Sequence, residues 1–456
     1  MKKNYFLAIA VAALMLATTV AQAADITFSG QFRPRFNVEE DANDATTSRQ
    51  YFDTRVRLNA AANVNANTSI FLQMQSNGQW GNNMAQGDRD SSAGSDVLND
   101  VGFHQAYATH KGFMGNAVDL KIGRQEVVLD GHRLFGHTGW TTGAQTNDAI
   151  RLDHSAGNHT LNYVYVASSE DGSSTRSNNG NVHYHVFRAS TQGVLGGNLT
   201  GYFVAADAAS DTYYTIGARQ KGKLGGLDYR VEYYHQFGDG SVEAGATAFN
   251  GAYTNLSDSA DVDRNAHMFG IRVGKTFKNA KLSPTFTLWY DSLSGTDDSD
   301  ASGNDFGTFN TLQDTGHKFY GLMDNFLNAR NNGSAYYGLQ DFALKTKFKI
   351  DGTNTLKADF HHFETQTTLD DGDSDDLRTN HAAMGTANTG TMNGDLGQEI
   401  DVTLVHKYDA NTKLVAGYSH YFTTTAFARL NGGGSTAGAG ANEDQDWMYV
   451  MVDTKF

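Results

Sequence analysis

The sequence predicts an all-β fold: a transmembrane antiparallel β-barrel of about 18 strands, with short periplasmic turns and long extracellular loops. Three observations carry this. Polarity alternates with period 2 from about residue 25 to residue 456. The connections alternate short and long. No segment after the first two dozen residues approaches the run of about 18 apolar residues that a membrane helix needs.

The chain opens with Lys2 and Lys3, an apolar run from Phe6 to about Ala17, and Ala21-Gln22-Ala23. That is the pattern of a secretory signal, so 1–23 is expected to be removed and 24–456 to form one barrel domain. Loss of the two lysines leaves 33 basic against 50 acidic side chains, a net charge of −17. The sequence has 0 cysteines, which excludes disulfides, covalent haem and thiolate metal sites, and no cofactor is expected.

Strands are expected near 25–38, 50–62, 67–80, 102–111, 118–128, 146–154, 158–168, 181–192 and 197–208. Nine more follow near 211–221, 226–239, 263–278, 281–292, 337–350, 354–366, 397–409, 412–426 and 445–456. In 26–36 Ile26, Phe28, Phe32 and Phe36 share one face, and Gln31, Arg33 and Arg35 the other. In 52–60 Phe52, Val56 and Leu58 oppose Asp53, Arg55 and Arg57. In 227–235 Leu227, Tyr229, Val231 and Tyr233 oppose Asp228, Arg230 and Glu232. In 342–350 Phe342, Leu344, Phe348 and Ile350 oppose Lys345, Lys347 and Lys349. A helix would mix these classes around its circumference.

Connections after even-numbered strands are short ("NVNA", "SAG", "KN", "DGT", "DA"), whereas those near 293–336 and 367–396 are the longest. The C-terminal "WMYVMVDTKF" ends in an aromatic residue, the kind of signal that barrel-assembly machinery reads, and closure pairs it with 25–38. Pro34 and Pro284 fall inside expected strands, where each removes a ladder donor and marks either a bulge or a strand end.

Acidic residues crowd the expected external loops: "EEDAND" (39–44), Asp297, Asp298, Asp300, Asp305 and "DDGDSDD" (370–376). The last lacks the twelve-residue calcium-loop spacing and reads as a solvated loop that divalent ions bridge to lipopolysaccharide. Basic residues recur on the inward parity: Arg33, Arg35, Arg55, Arg57, Arg151, Arg230, Lys345 and Lys347. A charge facing lipid costs roughly 2–4 kcal/mol at mid-bilayer, so these side chains point inward. Two readings stand: an anion-selective lumen, or a wall neutralised by Asp53, Asp228, Glu232, Glu399 and Asp401.

The stretch "LKIGRQEVVLDGHRLFGHTGWTTGAQTNDAIRLDH" (120–154) resembles the alginate-export porin family, with its LGRQ strand, G-W segment and DA-x-R strand. Similar to the same family are "TGHKFYGLMD" (315–324), "LKADFHHFE" (356–364) and "LGQEIDVTLVHKYDANTKLVAGYSHYF" (396–422). The resemblance implies an eighteen-stranded outer-membrane barrel with a basic conduit for an anionic polysaccharide. Arg124, Arg133 and Arg151 match its basic positions, Asp148 its acidic one, and His317 and Lys318 its loop GHK. The chain departs at Trp140-Thr141-Thr142, where the family commonly reads W-R-Q, and has no long plugging periplasmic turn. Arg124 shares parity with Leu120 and Ile122, so lining the pore requires a bulge at Gly123.

The expected function is passive diffusion of anionic solutes or acidic oligo- or polysaccharide through an outer-membrane porin, without enzymatic activity. Expected partners are outer-membrane lipid and lipopolysaccharide, barrel-assembly machinery and the anionic cargo, not nucleic acid. The rivals are a barrel sheath around a partner complex, such as an electron conduit or an oxyanion-uptake device, and an outer-membrane hydrolase. For the hydrolase, Asp153-His154, His361-His362 and Ser419-His420 supply residue types but no nucleophile motif.

Overall fold

The computed structural model describes residues 25–41, 44–80, 101–169, 182–208, 211–240, 262–296, 305–326, 334, 336–367, 394–424, 426–427 and 444–456. The expected signal segment 1–23, the acidic loop 370–376, and Asp297, Asp298 and Asp300 lie outside them.

The strands are β1 (Ile26–Asp41), β2 (Asp44–Asn63), β3 (Thr68–Gln79), β4 (Gly102–His110), β5 (Val118–Gln125), β6 (Asn147–Ala156), β7 (His159–Ser169), β8 (Val182–Val194), β9 (Gly197–Ala208) and β10 (Asp211–Leu224). They continue as β11 (Leu227–Asp239), β12 (Asp263–Thr276), β13 (Thr285–Leu293), β14 (Asp305–Phe306), β15 (Leu339–Lys349), β16 (Asn354–Glu364), β17 (Asp395–Lys407), β18 (Thr412–Thr423) and β19 (Gln445–Lys455). Sequential neighbours pair antiparallel, except that β13 pairs with β15, and β19 returns to β1. Eighteen strands therefore close the barrel. The two-residue β14 pairs parallel to the start of β12, inside a loop.

Side-chain parity sorts as expected. Phe28, Leu58, Phe187, Leu288 and Val450 project outward to the lipid, while Arg33, Arg55, Arg230 and Asp341 are buried inside. A bulge in β4 opposite Gln73 and Met74 turns both His104 and Gln105 inward.

The periplasmic turns are built by local polar side chains. Asn65 Oδ1 accepts the amides of Asn67 and Thr68, each at 2.9 Å. Asp351 and Asp409 do the same for Thr353 and Asn354, and for Asn411 and Thr412, all at 2.7 Å. Gly225 and Gly226, both at positive φ, make a two-residue hairpin of the mirror-image type.

Three expectations are refined. Pro34 causes no bulge: the β1–β19 ladder skips Arg33 and Pro34 and resumes in the same register at Arg35↔Met451. Pro284 precedes β13, and its carbonyl accepts the Phe277 amide at 2.8 Å, so it marks a strand end. No bulge forms at Gly123: the β5 registers to β4 and β6 run through it unshifted, despite its φ of 121°.

Candidate functional site

Two loops enter the lumen, 126–146 between β5 and β6, and the described residues 294–296, 305–326, 334 and 336–338 of the connection between β13 and β15. Their apolar residues Val127, Leu134, Phe135, Phe309, Phe319 and Phe326 find no lipid face and bury themselves inside the barrel. The loops meet backbone to backbone. Gly136 N donates to Gln313 O at 2.8 Å, Gln313 N to Leu134 O at 2.9 Å, and Thr315 N to His132 O at 3.1 Å.

Arg133 locks this junction to the wall. Its guanidinium donates to Glu232 Oε1 at 3.2 Å, Asp291 Oδ2 at 2.5 Å and the Tyr320 hydroxyl at 2.6 Å, and it lies 3.8 Å from the Phe319 ring centre. It is 2% exposed, so its expected role as a pore-lining cation is corrected: the side chain is spent on structure. Burial alone would lower its pKa, but Asp291, Tyr320 and Glu232 outweigh that and hold it well above the usual arginine value. Arg230 and Arg219 also reach Glu232, at 3.2 and 3.6 Å, and Arg272 reaches Asp291 at 3.3 Å.

A second basic wall lies on β1 and β2. Arg35 pairs with Asp53 at 3.3 Å, and Arg57 with Glu126 at 3.4 Å. Arg33 and Arg55 have no such partner and donate instead to the carbonyls of Gly139, Trp140 and Thr141. Burial opposes ionisation of Glu126, but the His104 hydrogen bond and the charges of His137 and Arg57 prevail and lower its pKa.

Between the two walls stands Lys318, exposed to the lumen. Its pKa is lowered first by burial and then by Arg230, Arg219, Lys221 and Arg133, so positive potential converges on this point. His317 stacks on Trp140 at 4.6 Å between ring centres and pairs with Asp324 at 2.6 Å. Burial, Lys318 and His137 push His132 down to about 4, so its imidazole is neutral at pH 7. The remaining expected residues divide. Arg151 faces inward and pairs with Asp153 at 2.8 Å, Lys345 with Asp359 at 3.6 Å, and Lys347 is exposed on the same inward parity.

Arg124 and Asp148 do not join them. They pair at 2.8 Å on the outer face, half exposed at 50% and 57%, because Gly123 leaves the alternation intact. Parity reading missed Arg188, Arg219, Lys221, Arg264 and Arg272, although each alternates with outward residues in β8, β10 and β12. It placed Glu399 only among possible wall acids. In the structure Glu399 Oε1 accepts the amides of Leu322 and Met323, at 2.5 and 2.9 Å, and pins the tip of the long loop.

The hydrolase pairs do not assemble. Ser419 donates inward to Asp401 at 2.5 Å while His420 bonds Asp446 on the outer face. His361 is buried against Asp341 at 2.8 Å, and Asp153 and His154 point apart. Among the described residues no group of three potential metal ligands converges.

The sequence profile described as Alginate export matches residues 24–438. No curated protein matches. Solved structures similar in fold include three from Pseudomonas aeruginosa. OccK9 (OpdG) has a TM-score of 0.58 at 12% identity, covering 95% of this chain and 98% of its own. OccK11 (OpdR) gives 0.54 at 11%, covering 96% and 98%. OccK2 (OpdF), in complex with glucuronate, gives 0.54 at 11%, covering 96% and 99%. With the family match spanning nearly all of the barrel, the chain belongs to the alginate-export family and is a porin-type β-barrel of the outer membrane.

Proposed function

We propose that this porin passes small anionic solutes by diffusion, with carboxylates the preferred class. One observation carries the reading: among the described residues, Arg33, Arg55, Lys221 and Lys318 have no carboxylate within ion-pair distance, so the wall keeps a cationic surplus after its internal pairs are formed. In a narrow lumen of lowered dielectric such a surplus draws anions and repels cations. The neutralised-wall alternative fits Asp53, Asp228 and Glu232, which pair with basic side chains, whereas Glu399 and Asp401 accept from loop amides and from Ser419 instead. It does not fit the arginines that face carbonyl oxygens.

The inward loops limit the size of the solute. With Phe135, Phe309, Phe319 and Phe326 packed across the interior, the free path is narrower than an open barrel of this strand number. That favours monomeric acids over a polysaccharide chain. The glucuronate complex of OccK2 shows that a relative in fold accommodates an acidic sugar, and supports the choice of probe.

The test is the reversal potential of the purified protein in planar bilayers under a salt gradient, followed by glucuronate and alginate current measurements. Anion selectivity with a glucuronate current is expected. Cation selectivity, or a barrel that does not conduct, refutes the reading. Alginate passing as readily as glucuronate refutes the size argument.

A further inference from the structure

The backbone of one inward turn occupies the place of an anion. Arg33 donates from Nη1 to Gly139 O at 2.8 Å and from Nη2 to Trp140 O and Thr141 O at 2.8 and 3.0 Å. Arg55 donates from Nη1 to Gly139 O and Thr141 O, each at 3.1 Å, and from Nη2 to Gln31 Oε1 at 3.1 Å. Both arginines are at least nine-tenths buried, and the Arg55 Nε has no partner. A guanidinium fork matches a carboxylate in two parallel bonds. Here neutral carbonyls fill that position on two adjacent forks.

Apart from these bonds the turn is held by neutral contacts: Trp140 packs edge-on against Trp447 and Tyr449, and Thr138 N donates to Thr315 Oγ1 at 3.2 Å. It is bracketed by Thr138 and Ala144, non-glycine residues held at φ of 44° and 57°, a region that residues with a Cβ avoid. Gln75 Nε2 reaches Gly143 O at 2.7 Å, and the Trp140 ring lies over Arg35 and on His317. No charged side chain of the turn pairs with the wall.

We propose that Arg33 and Arg55 form a carboxylate-binding site that the 139–141 turn covers in the resting channel, and that an anionic solute opens it by taking the guanidinium donors from those carbonyls. This rests on the anion-channel reading above and adds that the cargo releases its own gate. A carboxylate brings a full opposite charge to the guanidinium where the carbonyls bring only a dipole, so the exchange favours the solute. The freed carbonyls turn to lumen water. Chloride offers one spherical acceptor rather than two oxygens matched to the fork, so the exchange discriminates in favour of carboxylates.

The absence of native cysteine makes a direct test available. A Cβ at Gly143 would lie 3.8 Å from Asn77 Nδ2, so the double variant Asn77→Cys/Gly143→Cys places two thiols to tie the turn to β3. Oxidation should lower the glucuronate current about fivefold while sparing most of the chloride current, and reduction should restore it. The reduced form of the same protein controls for folding. Equal glucuronate currents in both states, with the disulfide verified by mass spectrometry, would overturn the proposal. Separately, Arg33→Gln/Arg55→Gln should lower anion selectivity and abolish saturation of the glucuronate current, and retained saturation places the site elsewhere. The reversal potential of the unmodified channel tests the anion reading independently of either result.

Discussion

Replacing Arg133 with methionine, which keeps an unbranched apolar stem but removes the fork, should loosen both inward loops together. The native guanidinium satisfies Glu232, Asp291 and Tyr320 at a site with no solvent access. Removing one member of a buried ion pair commonly costs 3–5 kcal/mol, because the partner is left charged and dry. Here Arg230 and Arg219 still face Glu232, and Arg272 still faces Asp291, so the lower end applies, about 3 kcal/mol. The sign with pH follows from the raised Arg133 pKa: its contribution is complete below the unfolded arginine value and is lost only above it. The destabilisation by Arg133→Met should therefore be the same at pH 6 and pH 8. The assay is thermal unfolding of the detergent-solubilised barrel by circular dichroism and gel mobility, alongside single-channel recording. A lower melting temperature and noisier, larger unit conductance are expected. An unchanged melting temperature with unchanged unit conductance would refute the assignment of Arg133 as the latch.

Glu399→Ala leaves the Leu322 and Met323 amides without their acceptor and should destabilise by about 1–3 kcal/mol, whereas Glu399→Gln retains an acceptor oxygen and should recover most of that loss in the same melts. Gly321→Ala should be at least as damaging, because a Cβ there would meet Glu399 Oε2 at 2.4 Å on a backbone at φ of 84°. Arg124→Ala should leave the reversal potential unchanged, since the pair with Asp148 lies outside the barrel and is half exposed; a shift of that potential would put Arg124 in the pathway. The His132 pKa is lowered by burial and by Lys318, so the folded protein resists its protonation. Stability should decline as pH falls from about 6.5 to about 4, and His132→Gln should flatten that part of the melting profile.

The strands were readable in the sequence because the contrast that specifies them is local. Each stave separates lipid from lumen, so Phe28 and Arg33, or Leu344 and Lys345, declare their faces within a few residues. The same rule placed Arg124 outward, and the structure follows the rule rather than the bulge needed to override it. What the inward loops do was not readable. Whether Arg133 lines a pore or is buried depends on Glu232, Asp291 and Tyr320, residues 99, 158 and 187 positions away. No periodicity encodes that encounter. Arg219 and Arg272, by contrast, were within reach of the parity test that identified Arg230.

The closing pair of strands bears on how the barrel is made. Gln31 and Asp453 are 422 residues apart in sequence yet bonded at 2.5 Å, while every other neighbouring pair of staves is joined by a single connection. Gly30 and Phe456 exchange amide bonds at 2.7 and 3.2 Å, and any Cβ at residue 30 would strike the Phe456 ring at 2.4 Å. Hairpins can form in turn as the chain emerges, each at a small entropic cost, but this seam can join only when nearly the whole circumference is already in place. A notch at one glycine, shaped to one aromatic ring, therefore acts as the fastener that is engaged last. A substitution there should delay assembly into the membrane while leaving the permeation pathway unaltered once the cylinder has shut.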